Sequence, residues 1–157
     1  MATPKIHILP IKRLLAMGEF PEHSVAILNS SDPVDTSRLP IPSCPVYYQD
    51  LDYESPRSFS PALAAQIADF VKMNEASTDH IYVCCQAAQS RSPGIAAALY
   101  VYFGRDPMDI FLQAQYQPNA LCFRLLTEAL GVPVTDAQLD GLLYANMRAF
   151  KRALQGG

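Results

Sequence analysis

The chain has 157 residues, 50% of them hydrophobic and 17% charged, with a formal net charge of −3 from 12 Lys and Arg against 15 Asp and Glu. That length suits a single domain spanning residues 1–157 with a packed core, and the scarcity of charge excludes a disordered, solvating chain. There is no broad basic field to hold nucleic acid, no apolar run near the about 18 residues of a membrane helix, and no N-terminal segment of secretory type.

In chain order, Ile6 to Leu9 reads as a short strand closed by Pro10, and Ile11 to Met17 as a short helix with Ile11, Leu14 and Leu15 on one face. Val25 to Leu28 is an apolar run of the buried-strand type. Ser30 to Pro45 carries Ser, Asp and four prolines, which is loop chemistry, and Val46-Tyr47-Tyr48 reads as the next strand. Ser60-Pro61 opens a helix as N-cap and first helical residue, with Leu63, Ile67, Phe70 and Val71 as its apolar stripe.

His80 to Cys84 is the best-marked strand; a polar turn from Cys85 to Ser92 separates it from a small-residue helix, Pro93 to Phe103. Further helices are expected at 106–115, 118–130 and 135–154, the last opened by a Thr135–Gln138 capping box. Strands alternate with helices early and helices dominate late. The pattern is α/β, with a small, mostly parallel central sheet flanked by helices and a helical C-terminal third.

The segment Cys85-Gln86-Ala87-Ala88-Gln89-Ser90-Arg91-Ser92 sits between a buried strand and a helix start. A helix N-terminus and a nearby cation favour the thiolate of a cysteine, which is its nucleophilic form. Backbone N–H groups of such a turn, here from Gln86 through Ser90, converge on an anion, and Arg91 adds a planar fork for two phosphate oxygens. Nucleophile, oxyanion donors and charge clamp together outline an acyl- or phosphoryl-transfer site.

The segment resembles the cysteine-dependent protein tyrosine phosphatases of the small, dual-specificity-like bacterial type, whose signature is H-C-x-x-G-x-x-R-[ST] after a strand. Cys85 matches the nucleophile, Arg91 the phosphate-binding arginine and Ser92 the hydroxyl beside the leaving thiolate. Ser90-Arg91-Ser92-Pro93 with Ile95 to Leu99, Tyr48 to Asp52, and Pro118-Asn119 extend the likeness over most of residues 25–130. The resemblance implies hydrolysis of a phosphate monoester through a phosphocysteine, on a phosphorylated protein or a small phosphate ester, with no metal or organic cofactor; the composition and the lack of membrane or secretory segments lead one to expect a cytoplasmic protein. It also implies a general acid about thirty residues before the cysteine; Asp50 and Asp52 both qualify, and Asp50 aligns better.

Two positions depart from the signature: Cys84 stands in place of His and Ala88 in place of Gly. A positive φ at Ala88 implies strain of order 1 kcal/mol. These departures favour an alternative, a pseudophosphatase that grips phosphorylated partners, while Cys85, Arg91, Ser92 and the two aspartates favour the enzyme. Sulfur transfer and arsenate reduction rank third, having neither a suitable surrounding pattern nor an obvious resolving cysteine. Cys44 and Cys122 read as core thiols, His7, His23 and His80 as surface or strand-end residues, and Tyr47, Tyr48, Tyr53, Tyr82, Tyr100 and Tyr102 as an aromatic-rich core. Asn119 reads as a structural residue at a helix start.

Overall fold

The computed structural model describes residues 3–156. In chain order the elements are β1 (Lys5–Pro10), α1 (Ile11–Leu15), β2 (Ser24–Ser30), β3 (Ser43–Tyr47), α2 (Pro61–Asn74), β4 (His80–Cys85), α3 (Arg91–Tyr102), α4 (Met108–Phe111), α5 (Ala120–Ala129) and α6 (Asp136–Gly156). The four strands form one parallel sheet in the order β1-β4-β2-β3. This is the α/β architecture expected, with helices covering the sheet and all four elements after β4, α3 to α6, being helices.

Strand alternation sorts the core into two layers. Val25 and Ile27 of β2, with Ile81 and Val83 of β4, pack in the large cluster with residues of α2, α3 and α5. Ala26, Leu28, Tyr82 and Cys84 point the other way, into a smaller cluster with Ile11 and Leu14 of α1. All of β2 is buried, which is why its apolar run is legible in the sequence.

Several boundaries differ from expectation. The segment read as loop up to Pro45 already contains the first half of β3, and Tyr48 lies just beyond that strand. β3 is an edge strand, and its inward groups are Pro42 O, bonded to Ala26 N at 3.0 Å, and Tyr48 N, bonded to Ser30 O at 2.9 Å. Alternation therefore turns the Pro45 nitrogen outward, where a missing donor costs no ladder bond. α1 ends at Leu15 rather than Met17, and Leu15 is 44% exposed instead of joining Ile11 and Leu14 in the core.

α3 starts two residues early, at Arg91, because Pro93 falls in the first turn, where N–H groups have no intrahelical acceptor. The helix expected at 106–115 shrinks to α4: the chain tightens after Phe111, and the Phe111 and Tyr116 carbonyls are taken by Asn146 Nδ2 of α6 at 2.8 and 2.7 Å. The capping box stands as expected, with Thr135 N to Gln138 Oε1 at 2.8 Å and Gln138 N to Thr135 Oγ1 at 3.1 Å. Tyr48 and Tyr82 are core residues, but Tyr47 and Tyr53 are exposed, and the largest buried rings are Phe59, Phe111 and Phe123. Among the described residues no helix is long and apolar enough to cross a membrane.

Candidate active site

The Cys85–Ser92 turn connects the C-terminal end of β4 to α3, beside the ends of β1 and β2, the edge at which ligands of open parallel sheets bind. Cys85 Sγ lies 3.1 Å from Ser92 Oγ and accepts from Ser92 N at 3.4 Å, so two groups of the first turn of α3 face the sulfur. The carbonyls around the turn are drawn outward: Cys84 O accepts from Asn29 Nδ2 at 3.1 Å, Gln89 O from Gln117 N at 2.8 Å, and Ser90 O from Asn119 N at 2.9 Å. Among the described residues, none of the N–H groups from Gln86 through Ser90 has an acceptor within the protein. Ala88 is left-handed at φ 56, the backbone step that lets successive N–H groups share one concavity. This loop can receive an anion.

Arg91 is buried, and its guanidinium is held from three directions. Nη1 donates to Ser31 Oγ at 3.1 Å and to the Tyr48 carbonyl at 3.0 Å, and Nη2 donates to Gln86 Oε1 at 2.7 Å. The Tyr48 ring lies 5.8 Å from the guanidinium carbon. A fixed, planar cation beside the loop is the kind of group that pairs with the oxygens of an anion.

Asp50 comes to the lip of the loop. Its Oδ1 accepts from Ser90 Oγ and from Asn119 Nδ2, each at 2.8 Å, and among the described residues nothing donates to Oδ2. Asp52 lines the same cleft of about 440 Å³, with Tyr53 and Asn119, but makes no hydrogen bond to the loop among the described residues. The structure thus brings Cys85, Gln86 to Ser90, Arg91, Ser92 and Asp50 together and leaves Asp52 on the wall.

Two supporting residues, Asn29 and Ser31, do not stand out in the sequence, and a third, Asn119, has a second role in the site. Asn29 is fully buried, donates to Cys84 O and accepts from the Tyr48 hydroxyl at 2.7 Å; its signal was a polar residue closing an apolar run. Ser31 carries no signal that distinguishes it. Asn119 is structural, as its place at a helix start implies: its Oδ1 accepts from Cys122 N at 3.0 Å as the N-cap of α5. Its amide nitrogen also reaches Asp50 and the Leu51 carbonyl, the latter at 3.0 Å. Gly94 makes this approach feasible, because a Cβ there would stand 2.6 Å from Asn119 O.

The departure at Cys84 has a definite environment. Its side chain lies in the α1-side cluster, where burial, then the neighbouring Cys85, push the thiol up to about 12. Burial likewise raises Cys122 to about 12 and Cys44 to about 11, consistent with core thiols, and all four cysteines are free. Among the described residues no group of His, Cys, Asp and Glu side chains is arranged to hold a metal ion.

No protein-family model matches the chain, and no curated protein sequence does. Solved structures do match. Human DUSP28 superposes with a TM-score of 0.50 at 13% identity, over 98% of this chain and 95% of that one. P. aeruginosa TpbA gives 0.48 at 13% identity over 92% and 88%, and PTPMT1 gives 0.40 at 15% identity over 83% and 80%. The likeness to DUSP28 extends over nearly the whole of both chains, and it is a likeness of fold.

Proposed function

We propose that the protein hydrolyses phosphate monoesters, as a protein-tyrosine or dual-specificity phosphatase working through a phosphocysteine. The observation that carries this reading is the attachment of Asp50 to Ser90, which holds a carboxyl group at the rim of an anion-receiving loop whose base is Cys85. The Cys85 thiolate attacks phosphorus in line: the S–P bond forms as the P–O bond to the leaving group breaks. Arg91 and the N–H groups of Gln86 to Ser90 stabilise the equatorial oxygens. Asp50 gives its proton to the leaving oxygen. Its carboxylate then takes a proton from water, whose oxygen displaces sulfur from phosphorus, and Ser92 donates to the departing thiolate.

Asp50 is favoured over Asp52 as the acid because two hydrogen bonds fix it at the loop. The test is metal-free hydrolysis of p-nitrophenyl phosphate by the wild type beside Cys85→Ser and Asp50→Asn. Turnover that vanishes with Cys85→Ser and falls about 10²-fold or more with Asp50→Asn is expected. An unimpaired Asp50→Asn enzyme transfers the role to Asp52.

A second reading, a module that binds phosphorylated partners without turning them over, is favoured by the left-handed Ala88 and by Cys84 in place of a polar neighbour. Its signature is tight vanadate binding, dependent on Arg91, in a protein with no turnover.

A further inference from the structure

We propose that two copies of this chain pair antiparallel along α6, each laying the exposed turns of its helix on the helix of the other. This interface is independent of the phosphatase reading. α6 (Asp136–Gly156) is anchored by its first half: its buried residues are Leu139, Leu142 and Asn146, and Asn146 bonds to the Phe111 and Tyr116 carbonyls. Among the described residues none of α6 after Asn146 is buried, which leaves residues 147–156, about 15 Å of helix, without a covering element.

A single exposed apolar residue is ordinary, but a row of them along one helix is not. Met147, Phe150 and Leu154 are 43%, 40% and 69% exposed, and the half-buried Leu143 begins their line one turn earlier. Steps of four, three and four residues keep all four on one stripe, the spacing of a seam between paired helices. That order is the same read backwards. A two-fold axis between Arg148 and Ala149 therefore sets Met147 against Phe150 of the second copy, and Leu143 against its Leu154. Leu143 also lines the cleft that holds Asp50 and Asp52, so the pairing reaches the edge of the candidate site.

Charge sets the direction and the class of partner. The acids of α6, Asp136 and Asp140, lie in its first turns, and its bases, Arg148, Lys151 and Arg152, lie in its last turns. Parallel pairing would stack Asp140 on Asp140 and Lys151 on Lys151; the antiparallel pair turns each acidic end toward the basic end of the other copy. Asp136 and Asp140 also continue the apolar stripe at the same spacing, four residues and then three before Leu143. An anionic lipid surface would meet these carboxylates on the contact face, so the stripe favours a second copy over a membrane.

Sedimentation equilibrium of the full chain tests the pairing. With rising concentration the mass is expected to climb from 17.3 kDa toward twice that value, with a Kd of about 1–100 µM for an interface of few residues. Phe150→Asp changes an exposed position, so it should keep the protein monomeric throughout while thermal unfolding stays as in the wild type. For orientation, Leu143→Cys mixed with Leu154→Cys should give a disulfide-linked dimer under copper–phenanthroline oxidation, and neither variant should link to itself. A protein that stays at 17.3 kDa up to about 500 µM overturns the proposal, and so does a dimer that survives Phe150→Asp. Leu154→Cys that links to itself, with no mixed product, overturns the antiparallel arrangement. A chain that remains monomeric but binds phosphatidylserine vesicles, and loses that binding with Phe150→Asp, gives the stripe to a membrane instead.

Discussion

Asn119 and Asp50, sixty-nine positions apart, meet at 2.8 Å, with the amide nitrogen of one on Oδ1 of the other. The same carboxamide caps α5 through its oxygen, so one side chain anchors a helix and orients the proposed acid. Replacing Asn119 with Ala is expected to lower kcat about tenfold, since Ser90 still holds Asp50, and to cost about 1 kcal/mol of stability from the lost cap. Asn119→Ser keeps a capping oxygen and should recover stability while kcat stays low. The kinetic loss should be larger on phenyl phosphate, whose leaving oxygen needs the proton, than on dinitrophenyl phosphate. Equal losses on both esters would mean that Asn119 acts through the fold alone.

The buried pair Tyr48 and Asn29 supports Cys84, the residue before the proposed nucleophile. Asn29→Ala removes the side-chain bond to the Cys84 carbonyl and leaves the Tyr48 hydroxyl with only the weaker Cys122 Sγ at 3.4 Å, at a cost of about 2–3 kcal/mol. For a chain of this size that lowers Tm by roughly 4–10 °C. Tyr48→Phe added to Asn29→Ala should cost less than the two single changes summed, because the second change removes a hydroxyl that has already lost its Asn29 partner. Thermal unfolding of the four proteins measures the coupling, and strict additivity would show that the two side chains stabilise the fold independently.

Ala88 sits at φ 56, a conformation that costs an alanine about 1–2 kcal/mol and a glycine little. Ala88→Gly should therefore raise stability by about 0.5–1 kcal/mol even after the added freedom of the unfolded chain, a Tm increase of roughly 1–4 °C. A fall in Tm would show that the surrounding loop has adapted to the methyl group.

Cys44, Cys84 and Cys122 each have an ordinary thiol value of 9.0 raised in the fold, to about 11 for the first and about 12 for the others, with burial the main cause. Above pH 9 the unfolded chain releases these protons while the folded one retains them. Their contribution to stability is thus complete below pH 9 and lost progressively as pH climbs through 11 to 12. The urea midpoint should be flat below pH 9 and decline above it, with a shallower decline in Cys44→Ala. An identical decline in that variant would assign the alkaline loss to other groups.

The central strands and the turn that carries the candidate site are legible in the sequence because their signals are contiguous. β2 and β4 are apolar runs buried on both faces, and Cys85 to Ser92 lie within one turn. The first half of β3 was hidden by Pro45, whose chemistry reads as loop, although an outward-facing edge position tolerates it. Leu15 follows a helical spacing that implies burial, but α1 spans only five residues and Leu15 lies at its end, where two clefts leave it open. Asn119 looked like a helix cap and is one; its second bond, to Asp50, depends on the fold bringing distant loops together, which no local pattern records. The same holds for Ser31 and the Tyr48 carbonyl on Arg91.

The outward turn of Pro45 has a consequence for how copies of this chain behave when concentrated or newly synthesised. An exposed sheet border is a template for another strand, and an intruder aligned on β3 would find no donor at Pro45. The opposite border, β1, ends on Pro10, which likewise offers no N–H to an incoming chain. Both margins of the sheet therefore interrupt the regular rungs that runaway strand stacking requires, leaving the protein guarded against fibrillar aggregation at the two places where a small parallel sheet is most open to it.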